Sequence, residues 1–102
     1  MKVKARIKGD VVEAKIRMTH KMWTYDIAEK KTGSRDNAEF ITHVTGVVNG
    51  KVVLDVSTSQ FLSKNPILKF KFKSAVCKAG DKLEITWVDN QGNTKTKKGK
   101  IK

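Results

Sequence analysis

The sequence has one cysteine, Cys77, and one proline, Pro66, in its 102 residues. A single thiol excludes an intrachain disulfide, so no disulfide framework holds this fold. Aromatic residues make up only 7% of the chain, and no apolar run reaches the roughly 18 residues of a membrane span. No membrane role is therefore expected. Acidic residues are scarce too: 10 Asp and Glu stand against 22 Lys and Arg, a formal charge of +12. That imbalance favours polyanions or acidic protein partners through long-range attraction. The opening "MKVKARIKGD" lacks an apolar h-region, so no signal peptide is expected. The chain is then cytosolic, cut from a precursor, or exported together with a partner. Linkers, repeats and low-complexity tracts are also missing, which predicts a single domain over residues 1–102.

A period of two runs through most of the chain. Val3, Ala5 and Ile7 alternate with Lys4, Arg6 and Lys8; Val12, Ala14, Ile16 and Met18 alternate with Glu13, Lys15, Arg17 and Thr19. Such alternation marks half-buried antiparallel strands. "FITHVTGVV" adds β-branched residues, and Asn49-Gly50 then signals a type I′ hairpin leading into "KVVLDV". After Pro66 comes "ILKFKFKSA", then a turn at "KAGD", a strand "KLEITWVD", a turn at "NQGN" and a closing "TKTKKGKIK". About seven short strands separated by turn signals predict an all-β fold, an immunoglobulin-like antiparallel sandwich, with a small barrel as competitor. The long segment 20–37, "HKMWTYDIAEKKTGSRDN", exceeds an ordinary connection, and loops of that length tend to be functional. Its alternating Trp23, Tyr25 and Ile27 predict an extended hairpin turning near Lys31-Thr32-Gly33.

The strand at 67–73 poses a choice. Leu68, Phe70 and Phe72 share one face, and Lys69, Lys71 and Lys73 share the other. Phenylalanines on an open sheet stack nucleic-acid bases; in a sandwich the same face is core, the reading preferred here because exposed aromatic pairs are costly. A basic β-domain binding nucleic acid stays as the alternative. Signs of catalysis are poor: the chain has no Walker-type loop, Gly-x-Ser-x-Gly, Cys-x-x-Cys or His-x-x-x-His. His20, His43 and Cys77 come from three distant segments and form too sparse a set for a metal site. Neither a catalytic residue nor a cofactor is expected. A thiol enzyme would need Lys78 to depress the Cys77 pKa; a small, half-buried apolar role for Cys77 is preferred. Trp87 shares a face with Leu83 and Ile85 and reads as core. Trp23 and Tyr25 are of the type that anchors protein interfaces, with packing inside the long loop as the equal alternative.

Four stretches together resemble the family of the SoxZ subunit of the sulfur-oxidation carrier complex: "THKM", "FITHVTGVVNGKVV", "SKNPILKFKFK" and "AGDKLEITWVDNQGN". The resemblance runs from about Val11 to the C-terminus. The chain departs from the family pattern at Lys21, at Trp23-Thr24-Tyr25 and at "SRDNAEF". The resemblance implies an immunoglobulin-like sandwich without chemistry of its own. It implies a periplasmic heterodimer with a SoxY-type partner, whose glycine-flanked C-terminal cysteine carries sulfur intermediates between other sulfur-oxidation enzymes. This chain ends "KKGKIK" and has no such arm, and Cys77 does not match the arm motif. Z subunits of this kind cross the membrane bound to a partner that has a signal. His20, Met22, Trp23, Tyr25, Ser63 and Asn65 are the candidate partner-interface residues, and Lys69, Lys71 and Lys73 the candidate electrostatic docking row.

Overall fold

A computed structural model describes residues 1–58 and 64–102. Seven strands are found among them: β1 Lys2–Lys8, β2 Val11–Arg17, β3 Ile41–Val48, β4 Lys51–Ser57, β5 Ile67–Lys73, β6 Lys82–Asp89 and β7 Thr94–Lys100. They form two antiparallel sheets, one ordered β1-β2-β5 and the other β4-β3-β6-β7. The chain changes sheet between β2 and β3, between β4 and β5, and between β5 and β6. This is the immunoglobulin-like sandwich that the alternation predicts.

The inner faces supply the core. Val12, Ile16 and Met18 from the β2 side meet Ile41, Val44 and Val48 of β3 and Leu83 and Ile85 of β6, all at 0–1% exposure. Trp87 is buried on the same face of β6. Leu68, Phe70 and Phe72 do face inward, half-buried and packed against this core, with the two phenylalanine rings stacked 6.0 Å apart. Their face is that of the sandwich interior, so β5 presents no aromatic platform outward. The turn between β3 and β4 places Asn49 and Gly50 at φ 51° and 78°, as a type I′ hairpin requires.

The segment 20–37 is not an extended hairpin. It holds a helix, α1, over Tyr25–Thr32, followed by a short 3-10 turn at Arg35–Asn37. Thr24 caps the helix, its Oγ1 accepting from the Ile27 N–H, and Gly33 ends it at φ 81° with its N–H donated to the Glu29 carbonyl. Asp26 in the first turn and Lys30 and Lys31 in the last complement the helix dipole. The alternation of Trp23, Tyr25 and Ile27 misleads because it is shared between two structures. Trp23 pairs with Glu39 in an isolated bridge, whereas Tyr25 and Ile27 already lie on the first helical turn.

The chain ends by crossing between the sheets. A Cβ added at Gly99 would lie 2.6 Å from the Val3 carbonyl oxygen and 2.7 Å from Val3 Cβ. Only glycine lets β7 approach β1 this closely. Beyond it, Ile101 pairs parallel with Ala5, and the main chain of Lys102 bonds to Ala5 and Ile7.

Candidate functional site

His20 leaves β2 at one end of the sandwich and is 7% exposed. Its Nδ1 accepts from the Met22 N–H at 2.9 Å, so the ring proton sits on Nε2, which donates to Asp89 Oδ2 at 3.1 Å. The imidazole also stands edge-to-face against Trp87, with ring centroids 5.1 Å apart. The Trp87 indole N–H itself has no hydrogen-bond partner among the described residues. Asp89 closes β6 and accepts further bonds: the N–H groups of Gln91 and Asn93 at Oδ1, and the Asn93 side chain at Oδ2. Burial pushes the Asp89 carboxyl up, but the bonds from His20, Asn93 and Gln91 outweigh it and hold the group below its usual range.

Around this pair the connections of one end are tied together. Asn65 accepts from the His20 N–H through Oδ1 and donates its own N–H to the His20 carbonyl. Met22 is buried, and its sulfur accepts from the Ile41 N–H at 3.3 Å. Asn90 bonds Phe40 through both main chain and side chain and reaches the Ala38 carbonyl. Met22 and Asn65 hold φ of 48° and 53°, a left-handed conformation uncommon outside glycine. Both residues flank His20, and the hydrogen bonds that meet there hold the strained backbone in place.

The structure thus brings His20, Met22 and Asn65 together, and Trp23 and Tyr25 beside them. Trp23 is half-buried, with the Lys21 ammonium 4.0 Å and the Lys31 ammonium 5.8 Å from its ring centre. Tyr25 is exposed, packs edge-to-face on Phe40 and has the Arg35 guanidinium 5.4 Å from its ring. Arg35 also pairs with Asp26 and Glu29, fastening the helix to the 3-10 turn. Ser63 lies outside the described residues. The sequence reading misses the parts played by Asp89, Asn90 and Asn93: it ends a strand at Asp89 and takes the other two only as a turn. The visible signal was an aspartate opening "DNQGN": such a side chain readily caps the N–H groups that follow it.

His20, Glu39 and Asp89 place ligand-type atoms within 4.8 Å of one another. Each is already engaged. Both His20 nitrogens are used, Asp89 is saturated by donors, and Glu39 pairs with Lys21 at 2.7 Å and accepts from Asn93. The trio is a structural knot of hydrogen bonds and not an open coordination site.

Cys77 lies at the opposite end, after the short 3-10 turn that follows β5, and is half-buried. Burial and the nearby Asp81 carboxylate push its thiol pKa up, the reverse of what a nucleophile needs. The Lys78 N–H is turned to Asp81, which it shares with the Asn49 side chain. His43 is half-exposed on β3 and pairs with Asp55 and Ser57 of β4. His20, His43 and Cys77 therefore do not converge.

Lys69, Lys71 and Lys73 point outward from β5. Cross-strand register extends them across the sheet: Lys69 lies beside Lys15 and Lys4, and Lys71 beside Glu13 and Arg6. Glu13 pairs with Lys8 at 3.0 Å and with Lys71 at 3.6 Å, and the bond from Lys8 leads in holding its carboxyl below the usual range. The comparison with known proteins agrees with this fold and these motifs. The family model described as "Sulphur oxidation protein SoxZ" matches residues 1–100. No curated protein matches the chain significantly.

Proposed function

The chain belongs to the SoxZ family of sulfur-oxidation proteins, and from that premise we propose that it is the non-catalytic subunit of a heterodimeric periplasmic sulfur carrier. In this reading it binds a SoxY-type partner. The partner's C-terminal cysteine holds the sulfur intermediates, and the pair is exported together. The observation that carries the reading is the match over nearly the whole chain. The chain's own reactive groups support it: the Cys77 thiol is raised and the His20–Asp89 pair is fully engaged.

The helix-capped end is the candidate partner face. Trp23 and Tyr25 would make the contact, presented by α1 and by the bridge to Glu39. His20, Met22 and Asn65 would act beneath them by fixing the segment, and Ser63 joins the candidates from its place in the sequence. A hydrophobic contact of this kind survives moderate salt. Lys69, Lys71 and Lys73 would dock visiting sulfur-oxidation proteins.

The test is a pull-down with this chain as bait from its native source, washed at high salt, with mass spectrometry of what remains. One small partner ending in a glycine-flanked cysteine is the expected result. Recovery of no such partner, with nucleic acid that washes off in salt, would favour the basic nucleic-acid-binding alternative instead.

A further inference from the structure

The outward face of the β1-β2-β5 sheet is a shallow trough of about 850 Å³, and the charged residues of its lining are lysines and Arg6, with Glu13 the one acid among them. Two features absent from the alternation of any single strand create it. The first is register, which aligns Lys4, Lys15 and Lys69 directly across three strands. The second is the crossing at Gly99. Ile101 points inward and pairs with Ala5, so Lys100 falls beside Lys4 and Lys102 beside Arg6. One row therefore reads Lys100, Lys4, Lys15, Lys69, and the next Lys102, Arg6, Glu13, Lys71. Both Lys100 and Lys102 line the trough.

Neighbouring strands lie about 4.8 Å apart, so like charges directly opposite repel and destabilise the sheet. Glu13 relieves only the second row, through Lys8 and Lys71. Among the described residues no carboxylate pairs with Lys4, Lys15, Lys69 or Lys100. An exposed row of this kind costs the fold little because water screens it, but it leaves a positive field that an outside anion can complete.

We infer that this trough docks an extended acidic segment of a partner protein, with the row Lys100, Lys4, Lys15 and Lys69 as its centre. Along β1 and β5 the cations recur every second residue, a spacing of about 6.6 Å. Carboxylates on alternate residues of an extended polypeptide repeat at that same distance. Nucleic acid has little to stack on: Phe70 is the one aromatic residue among those lining the trough, and it is half-buried and packed against the core. The choice of protein over nucleic acid rests on the sulfur-oxidation reading; the binding geometry does not.

The test uses the full chain alone, so it stands or falls separately from the pull-down of a subunit partner. A fluorescein-labelled ten-residue peptide of alternating glutamate and threonine is titrated and followed by fluorescence anisotropy at low and physiological salt. A single-stranded DNA ten-mer is the comparison ligand. Saturable peptide binding is expected, weakening with salt. The triple variant Lys4→Gln, Lys15→Gln, Lys69→Gln should lose at least about tenfold in affinity. Removing the same charge elsewhere, by Lys30→Gln, Lys51→Gln, Lys78→Gln, should change it less than about twofold. These are exposed positions, and circular dichroism verifies that each variant is folded. Equal losses in the two triple variants would overturn the proposal, leaving only net charge. Tighter binding of the DNA, lost in the trough variant, would overturn it in favour of nucleic acid.

Discussion

The capped end and the cationic face of this molecule treat charge in opposite ways. At the capped end, His20 and Asp89 are buried, and their side-chain polar atoms are engaged with each other and by Met22, Gln91 and Asn93, while Asn65 holds the His20 main chain. On the outer face of the β1-β2-β5 sheet, the lysine row is exposed and lacks a partner carboxylate within the described chain. A buried polar group left unsatisfied costs much, while exposed like charges cost little because water screens them. The first region holds a conformation, whereas the second leaves its positive field open to solvent.

Breaking the capped end should have the largest effect. His20→Ala removes a donor from Asp89 and the acceptor of the Met22 N–H, with an expected cost of about 2–4 kcal/mol. Urea unfolding should show a lower midpoint with little change in slope. An unchanged midpoint would mean that the buried pair does not hold this end. Gly99→Ala comes next. Its Cβ would meet the Val3 main chain at 2.6 Å, so the crossing strand must shift, at a cost of about 1–3 kcal/mol. The same substitution should weaken acidic-peptide binding, because Lys100 and Lys102 follow the crossing.

The pH dependence sharpens the contrast. Asp89 is held below its usual range in the folded state. The unfolded chain therefore binds the proton more readily, and the contribution of Asp89 is present above the unfolded value of about 3.9. It is lost as pH falls through the folded value. Wild type and Asp89→Asn should differ most near neutral pH, and their unfolding midpoints should converge as pH drops below about 4. Parallel profiles would contradict this role for the Asp89 carboxylate. Cys77 should alkylate more slowly than a free model thiol at pH 8, since burial and Asp81 raise its pKa. The smallest effect belongs to the cationic face. Lys15→Glu places a carboxylate between Lys4 and Lys69 and should leave the unfolding midpoint unchanged or slightly raised. A clear loss of stability there would mean that the row serves the fold.

The sandwich was legible because strands with one face in a core write period two into the sequence, as in "KVKARIK" and "ILKFKFK". The type I′ turn was legible because Asn49-Gly50 is a local signal. The helix α1 was hidden by Trp23, Tyr25 and Ile27, whose spacing imitates a strand although Thr24 and Gly33 mark both of its ends. The His20–Asp89 knot was not legible at all. Its partners lie 69 residues apart, and Asn65 is 45 residues from His20. Local pattern does not encode such pairings, and the same holds for Lys100 and Lys102 beside β1. Lys69, Lys71 and Lys73 could be placed on one face from sequence, but the row they extend across the sheet needed the register.

Native mass spectrometry of the complex isolated from its source, with the sulfur adducts left intact, tests the central claim most directly. The account predicts a one-to-one complex in which this chain has its unmodified mass and any added sulfur rides on the partner's terminal cysteine. A sulfur adduct on Cys77, or this chain recovered with no partner at all, would contradict it.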